Sequence, residues 1–363
     1  HVNGLKNMTM AQGNLVIGSN PKLMHLDGLS SLVSVAGKMH VVEGQSLENI
    51  QGLSQLESVG AGLSLWYNDA LLNLDGLSSL QSVGDKLEIY RNNSILNINS
   101  LSNLVTVGGN LEIFGNFALT DLDGLSGLTE VGGDLLIVGT ESLQNLDGLS
   151  NLKSVGGAWV ITENDGLLSI EGLSGLTEAK SSLEIMHNDL LLNLDGLSQI
   201  TAIQNGLFVE HNPMLENMDA LKNLQSVGML EIIGNYLLRD LNGLSGLTKI
   251  DGNTAVVSNP SLEQMDGLSK VYRVVGYLYI VDNTELESLT GLSSLKSVGG
   301  DLHIIGDPSL IQIDDLNSLE SVGGFLRINE NPLLTNLDGL SSLGSVGSDL
   351  YILSNESLNN VSG

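Results

Sequence analysis

The strongest constraint on this chain is a 24-residue period that runs almost end to end. A Gly-Leu pair marks it, with the Gly at positions 4, 28, 52, 76, 124, 148, 172 and 196, then at 243, 267, 291 and 339. Ser100, Ala220 and Asp315 stand in phase where that Gly is missing, and Gly363 closes the series in phase. One step, from Ala220 to Gly243, is a residue short. The gap maps to Gly228-Met229, where other units carry Gly-Gly plus one more residue. A fixed period of this size denotes stacked units, each of which covers its neighbour's core. The expectation is one continuous solenoid over residues 1–363, with no linker and no second domain.

The unit reads N-P-x-L-x-x-L-D-G-L-S-S-L-x-S-V-G-G-x-L-x-I-x-x. In Asn116–Gly139 its apolar positions are Leu119, Leu122, Leu125, Leu128, Val131, Leu135 and Ile137. One unit has too little apolar surface to fold alone, but stacked units join these positions into aliphatic columns. L-x-I has period two and predicts a strand with Leu and Ile facing inward. L-x-S-V predicts a second, shorter strand, and Gly-Gly supplies the turn between them. L-x-x-L-D-G-L has period three, which suits neither ideal element and predicts an extended or turn-like side. Equivalent strands one coil apart must pair in parallel at about 4.8 Å, so about fifteen coils make a rod roughly 70 Å long. The fold class is therefore all-β, a parallel β-solenoid of the leucine-rich-repeat type with 24 residues per coil.

Composition narrows the function. Hydrophobic residues are 42% of the chain and aromatics 4%, so the core is aliphatic. The net charge of −28 comes from having only 14 Lys and Arg against 42 Asp and Glu. Such a chain lacks the basic stripe that nucleic acid or an anionic membrane requires. With no cysteine there is no disulfide framework and no thiolate metal site. No apolar stretch is long enough to span a membrane. The chain opens at His1 without a signal-like segment, which points to a processed or trimmed product. Both ends, Val2-Asn3-Gly4-Leu5 and Val361-Ser362-Gly363, are in template phase and uncapped. The expectation is a part of a longer protein, or ends that stack on neighbours and in the extreme form a filament.

The segments L-x-S-V-G-G-x-L-x-I, as in Leu295–Ile304 with Gly299-Gly300, and N-P-x-L-x-x-L, as in Asn331–Leu337, carry a resemblance. The unit resembles the receptor L-domain type of leucine-rich repeat, found in the ectodomains of the insulin and EGF receptor families. Similar cysteine-free arrays occur in microbial cell-surface proteins. The resemblance covers the whole chain. It implies a right-handed solenoid and an extracellular, cell-surface setting. Hormone binding is not implied, because this chain lacks the receptors' cysteines and is far more regular.

Each template position forms a column along the solenoid. An Asn column includes Asn68, Asn92, Asn116, Asn164, Asn188 and Asn212, interrupted by Gly44, Thr140 and Asp307. It predicts a ladder of stacked amides at a turn, where Asn tolerates left-handed backbone. An acidic column includes Asp123, Asp147, Glu171 and Asp195. It reads either as Asx turns, with Asp accepting backbone N–H bonds, or as an edge that holds calcium. Calcium is thus the one cofactor the sequence suggests. The Ser column, as at Ser30 and Ser54, has no His or Asp at fixed phase to activate it, so it predicts turn capping rather than catalysis. His187 and His211 share a phase near Glu184 and Glu210, a candidate transition-metal pair lacking a third ligand.

The outward positions around L-x-I vary most. Of thirteen aromatic residues, nine lie there, including Trp66, Tyr67, Tyr90, Phe114, Phe208, Tyr279 and Tyr351. A contact face is predicted, with Trp66, Tyr90, Phe114, Phe208, Tyr279 and Tyr351 as its anchors. Its variable chemistry lacks the regular Thr array expected of an ice-binding surface. Sequons at Asn7, Asn92, Asn355 and Asn360 are candidate N-glycosylation sites. An enzyme is not expected, since the longest departure from the repeat is one deleted residue and no loop closes a cleft. The reading is an extracellular structural or interaction module that binds a protein or glycan through the L-x-I face. The alternatives are a surface-layer, stalk or filament element built from copies of itself, and an ice-binding or calcium-dependent solenoid.

Overall fold

The computed structural model describes residues 3–361. Val2, Ser362 and Gly363, assigned above to the in-phase ends, lie outside the described residues. The chain forms two compact units, residues 1–180 and 181–363.

Within each unit one coil has three parts, as in the coil with a 3-10 turn at Asp147–Leu149, a short strand at Ser154–Val155 and a long strand at Trp159–Thr162. In the first unit the short strands form a seven-stranded parallel sheet from Met10–Ala11 to Ser154–Val155. The long strands pair in parallel in template register, with Leu111 opposite Leu135 and Ile113 opposite Ile137. The second unit repeats this arrangement, with Leu278 opposite Leu302 and Ile280 opposite Ile304. The period-two pattern explains the strand: Leu111 and Ile113 are fully buried while Glu112 and Phe114 face outward and stay half-buried.

L-x-x-L-D-G-L, expected to be extended or turn-like, closes as a 3-10 turn. In the coil of Asp75, the N–H of Leu77 donates to the carbonyl of Leu74 at 2.8 Å. The side chain that fixes this turn stands two residues before the acidic position. Asn73 Oδ1 accepts the Asp75 N–H at 3.1 Å, and Asn145 does the same for Asp147 at 3.0 Å. In these two coils the turn is thus closed by the preceding Asn, and the Asp75 carboxylate instead accepts from Ser100 Oγ of the next coil at 3.0 Å.

The marker Gly is fixed by close approach between coils. A Cβ on Gly148 would lie 1.7 Å from the carbonyl oxygen of Leu122, and one on Gly267 would lie 1.6 Å from that of Leu241. Where Ser100 and Ala220 replace it, the 3-10 turn has five residues instead of three, Asn99–Asn103 and Asp219–Asn223. The deleted residue also has a local signature. Ala202 pairs with Ser226, an offset of 226 − 202 = 24, but Gly206 pairs with Met229, an offset of 229 − 206 = 23. Here the short and long strands fuse into single strands, Ala202–Glu210 and Ser226–Ile233.

Replacing Gly148 by Ala forces the two coils apart and is expected to cost about 2–3 kcal/mol, the scale of overpacking a close contact. Gly13→Ala, whose added methyl meets nothing within 4 Å, is expected to change little. Chemical denaturation of the two variants checks this difference.

Candidate functional site

A left-handed corner positions the outward face. The residue after each long strand has positive φ, as at Tyr67 (55°), Arg91 (49°), His187 (52°) and His211 (53°), or is Gly, as at Gly115 (64°). The Asn tolerates left-handed backbone but does not adopt it here; the residue just before it does. The missed signal is compositional: this column holds Gly and unbranched side chains and no Val, Ile or Thr, the types that positive φ strains most.

The Asn that follows is buried and bonded between coils. Asn68 N–H donates to Asn92 Oδ1 at 3.0 Å, and Asn92 N–H to Asn116 Oδ1 at 3.0 Å. The Nδ2 groups of Asn92 and Asn116 donate to the carbonyls of Leu65 and Ile89, both at 2.8 Å. Asn164 Nδ2 reaches the Ile137 carbonyl at 2.9 Å in the same unit. In the second unit Asn188 N–H donates to Asn212 Oδ1 at 3.1 Å, and Asn212 to Asn235 at 3.2 Å. Gly44 and Thr140 offer no amide oxygen but still donate their own N–H groups to Asn68 and Asn164.

On this frame the first unit displays an aromatic column. Trp66 and Tyr90 meet edge to face at 6.3 Å, and Tyr90 stacks on Phe114 at 4.8 Å with 15° between the rings. His40, opposite Ser64 in the neighbouring column, meets the Trp66 ring edge to face at 6.2 Å. Tyr67 packs against Tyr90 at 5.4 Å, and the Arg91 guanidinium lies 5.7 Å from the Tyr90 ring. One carboxylate of this face is compensated, while Glu112 on the paired strand accepts, among the described residues, only from Asn110 Nδ2 at 3.2 Å. Glu88 is buried, and its carboxylate accepts from Ser64 Oγ on one oxygen and pairs with the Lys86 ammonium on the other. The Trp66 indole N–H is buried without a hydrogen-bond partner.

The second unit separates its predicted anchors. Tyr279 stacks between Tyr277 (4.1 Å) and His303 (4.4 Å). Tyr351 lies near Phe325, with the Arg327 guanidinium 5.1 Å from the Tyr351 ring and 5.5 Å from that of Phe325. Burial, and then the nearby Arg327 charge, holds the His303 pKa below its ordinary value. Phe208 is in neither group; its pairing neighbours on adjacent strands are Glu184 and Glu231. Burial, and then the charge of Glu231, pushes the Glu210 carboxyl above its ordinary range.

The remaining candidates are more dispersed. Asp123, Asp147, Glu171 and Asp195 are exposed at the first position of their 3-10 turns. His187 and His211 are exposed and stack at 4.8 Å. Among the described residues no three His, Asp or Glu side chains gather into a metal-holding group. In the Asn92 sequon the side chain is fully buried, with Nδ2 donating to the carbonyls of Leu65 and Tyr90. Asn355 Nδ2 is likewise engaged, at 2.7 Å from the Ile328 carbonyl. Asn7 is exposed, and the Ser362 of the Asn360 sequon lies outside the described residues.

Residues 105–219 match the family model of the Receptor L domain. The repeat and its parallel strands, together with this match, are those of a leucine-rich-repeat, receptor L-domain-like fold. Among solved structures the chain is similar to an internalin of Listeria monocytogenes, at 16% identity over 96% of this chain and 88% of that one, with a TM-score of 0.45. It is also similar to a leucine-rich-repeat protein of Leptospira interrogans, at 15% identity over 91% and 92%, with a TM-score of 0.33. No curated protein matches it. Among the described residues no helix is long and apolar enough to cross a membrane.

Asn116→Ala removes the oxygen that accepts the Asn92 N–H and the amide that caps the Ile89 carbonyl. Leaving buried backbone groups unpaired is expected to cost about 1–3 kcal/mol. Denaturation of this variant beside Asn7→Ala, an exposed position, measures the ladder's contribution.

Proposed function

We propose that this chain is an extracellular, cell-surface interaction module that binds a partner protein through the long-strand face of its first unit, with Trp66, Tyr90 and Phe114 as anchors. The observation that carries the reading is the continuous ring column beside a carboxylate paired with the Lys86 ammonium and hydrogen-bonded by Ser64. Interlocked rings lose little rotamer freedom on binding, and a paired carboxylate spares a partner the cost of desolvating a lone charge. Aromatic side chains of this kind are the residues that dominate protein interfaces. The setting follows the receptor L-domain likeness. A binding role rather than a catalytic one fits a face whose polar groups are dispersed.

Replacing Trp66, Tyr90 and Phe114 together by Ser should weaken binding of the labelled chain to intact cells or extracellular matrix by at least about thirtyfold, the loss of roughly 2 kcal/mol expected from a single hot spot. Tyr236→Ser, exposed but outside the column, serves as the control. The far-UV circular dichroism of the backbone should be unchanged, since the three rings face outward. Undiminished binding of the triple variant would remove this face as the contact site.

A further inference from the structure

The Asn ladder of the second unit contains one carboxyl. Asp307 occupies the position that Asn283 and Asn331 hold in the adjacent coils, and it is fully buried. Its Oδ1 does what an amide oxygen would do, accepting the Asn283 N–H at 2.8 Å and the Asn283 Nδ2 at 3.2 Å. Its own N–H donates to Asn331 Oδ1 at 3.1 Å, so the ladder passes through it. Its other oxygen, Oδ2, is buried and has no hydrogen-bond partner.

The neighbouring coils show what that atom replaces. Asn283 Nδ2 donates to the Val256 carbonyl, and Asn331 Nδ2 donates to the Ile304 carbonyl, both at 3.0 Å. By the same register the acceptor for position 307 is the carbonyl of Ile280, on the strand paired with Leu302–Ile305. An ionised carboxylate has no hydrogen to offer that carbonyl. A carboxylic acid has one, on the oxygen that stands in place of Nδ2.

We propose that Asp307 is a proton-operated joint in the second unit: protonated, its Oδ2–H donates to the Ile280 carbonyl and completes the ladder as Asn does, and ionised, it leaves that rung open. Among the described residues the charged side chain that acts on it is Asp282, which disfavours the ionised form. The flanking corner residues are Asp282, beside Asn283, and Glu330, beside Asn331, both acidic. Burial, opposed by the two Asn283 bonds, raises the Asp307 pKa from 3.8 to about 7. A folded-state pKa above the unfolded one means the native chain holds the extra proton. The stabilisation is therefore complete below about pH 4, falls as pH rises, and is lost once pH passes about 7.

The test uses the full chain and Asp307→Asn, which restores the consensus side chain of the ladder. The ratio of unfolding constants, wild type over variant, should climb between pH 4 and 7 with a slope approaching tenfold per pH unit, then level off. Carbon-13 NMR of the Asp307 carboxyl should show a titration midpoint near 7. A ratio that stays flat across this range, or a carboxyl midpoint near the ordinary 3.8, would overturn the proposal.

Discussion

Everything in this protein depends on one coil finishing the hydrogen bonds and covering the core of the next. Seven apolar side chains per coil cannot enclose themselves, and the residues that bound the coil leave donors and acceptors that only a neighbour can meet. The aliphatic columns supply the non-directional part of this stacking. The Asn ladder supplies the directional part, because each Asn takes a backbone N–H from one coil and caps a carbonyl across the stack. The marker Gly sets how close the coils come, since even a methyl group would overlap the neighbouring carbonyl.

The periodic features were the most legible in the sequence. L-x-I predicts the long strand because burial alternates there, and the lost residue at Gly228-Met229 appears as a register change between Ile203 and Gly206. Features set by backbone geometry were less legible. The D-G-L turn was ambiguous because a three-residue 3-10 turn has no amphipathic pattern of its own. The Asn tolerates left-handed φ, but the corner places it one residue earlier at Tyr67, Arg91 and His187. The acidic column draws the eye to an Asp such as Asp75, whereas the Asx oxygen of that turn belongs to Asn73, two residues earlier.

For the candidate site, the sequence located the face but not its grouping. Trp66, Tyr90 and Phe114 share one column and do form a continuous set of ring contacts. Tyr279 and Tyr351 share a column with each other, yet His303 and Arg327 intervene, so each is held by different partners. Those partners are visible only in three dimensions. The same holds for Glu88, which reads as an outward charge and is buried and paired. Template columns thus say which positions vary, while side-chain length and charge decide which of them join.

Hydrogen exchange resolved along the chain tests the central claim most directly. The ladder N–H groups of Asn68, Asn92, Asn212, Asn235, Asn259 and Asn283 all donate to a neighbouring coil. The account predicts that they exchange as slowly as the amides of the long strands beside them, because coil stacking protects both. Exchange of these six amides at the rates of an unstructured peptide, while the long strands stay protected, would contradict it.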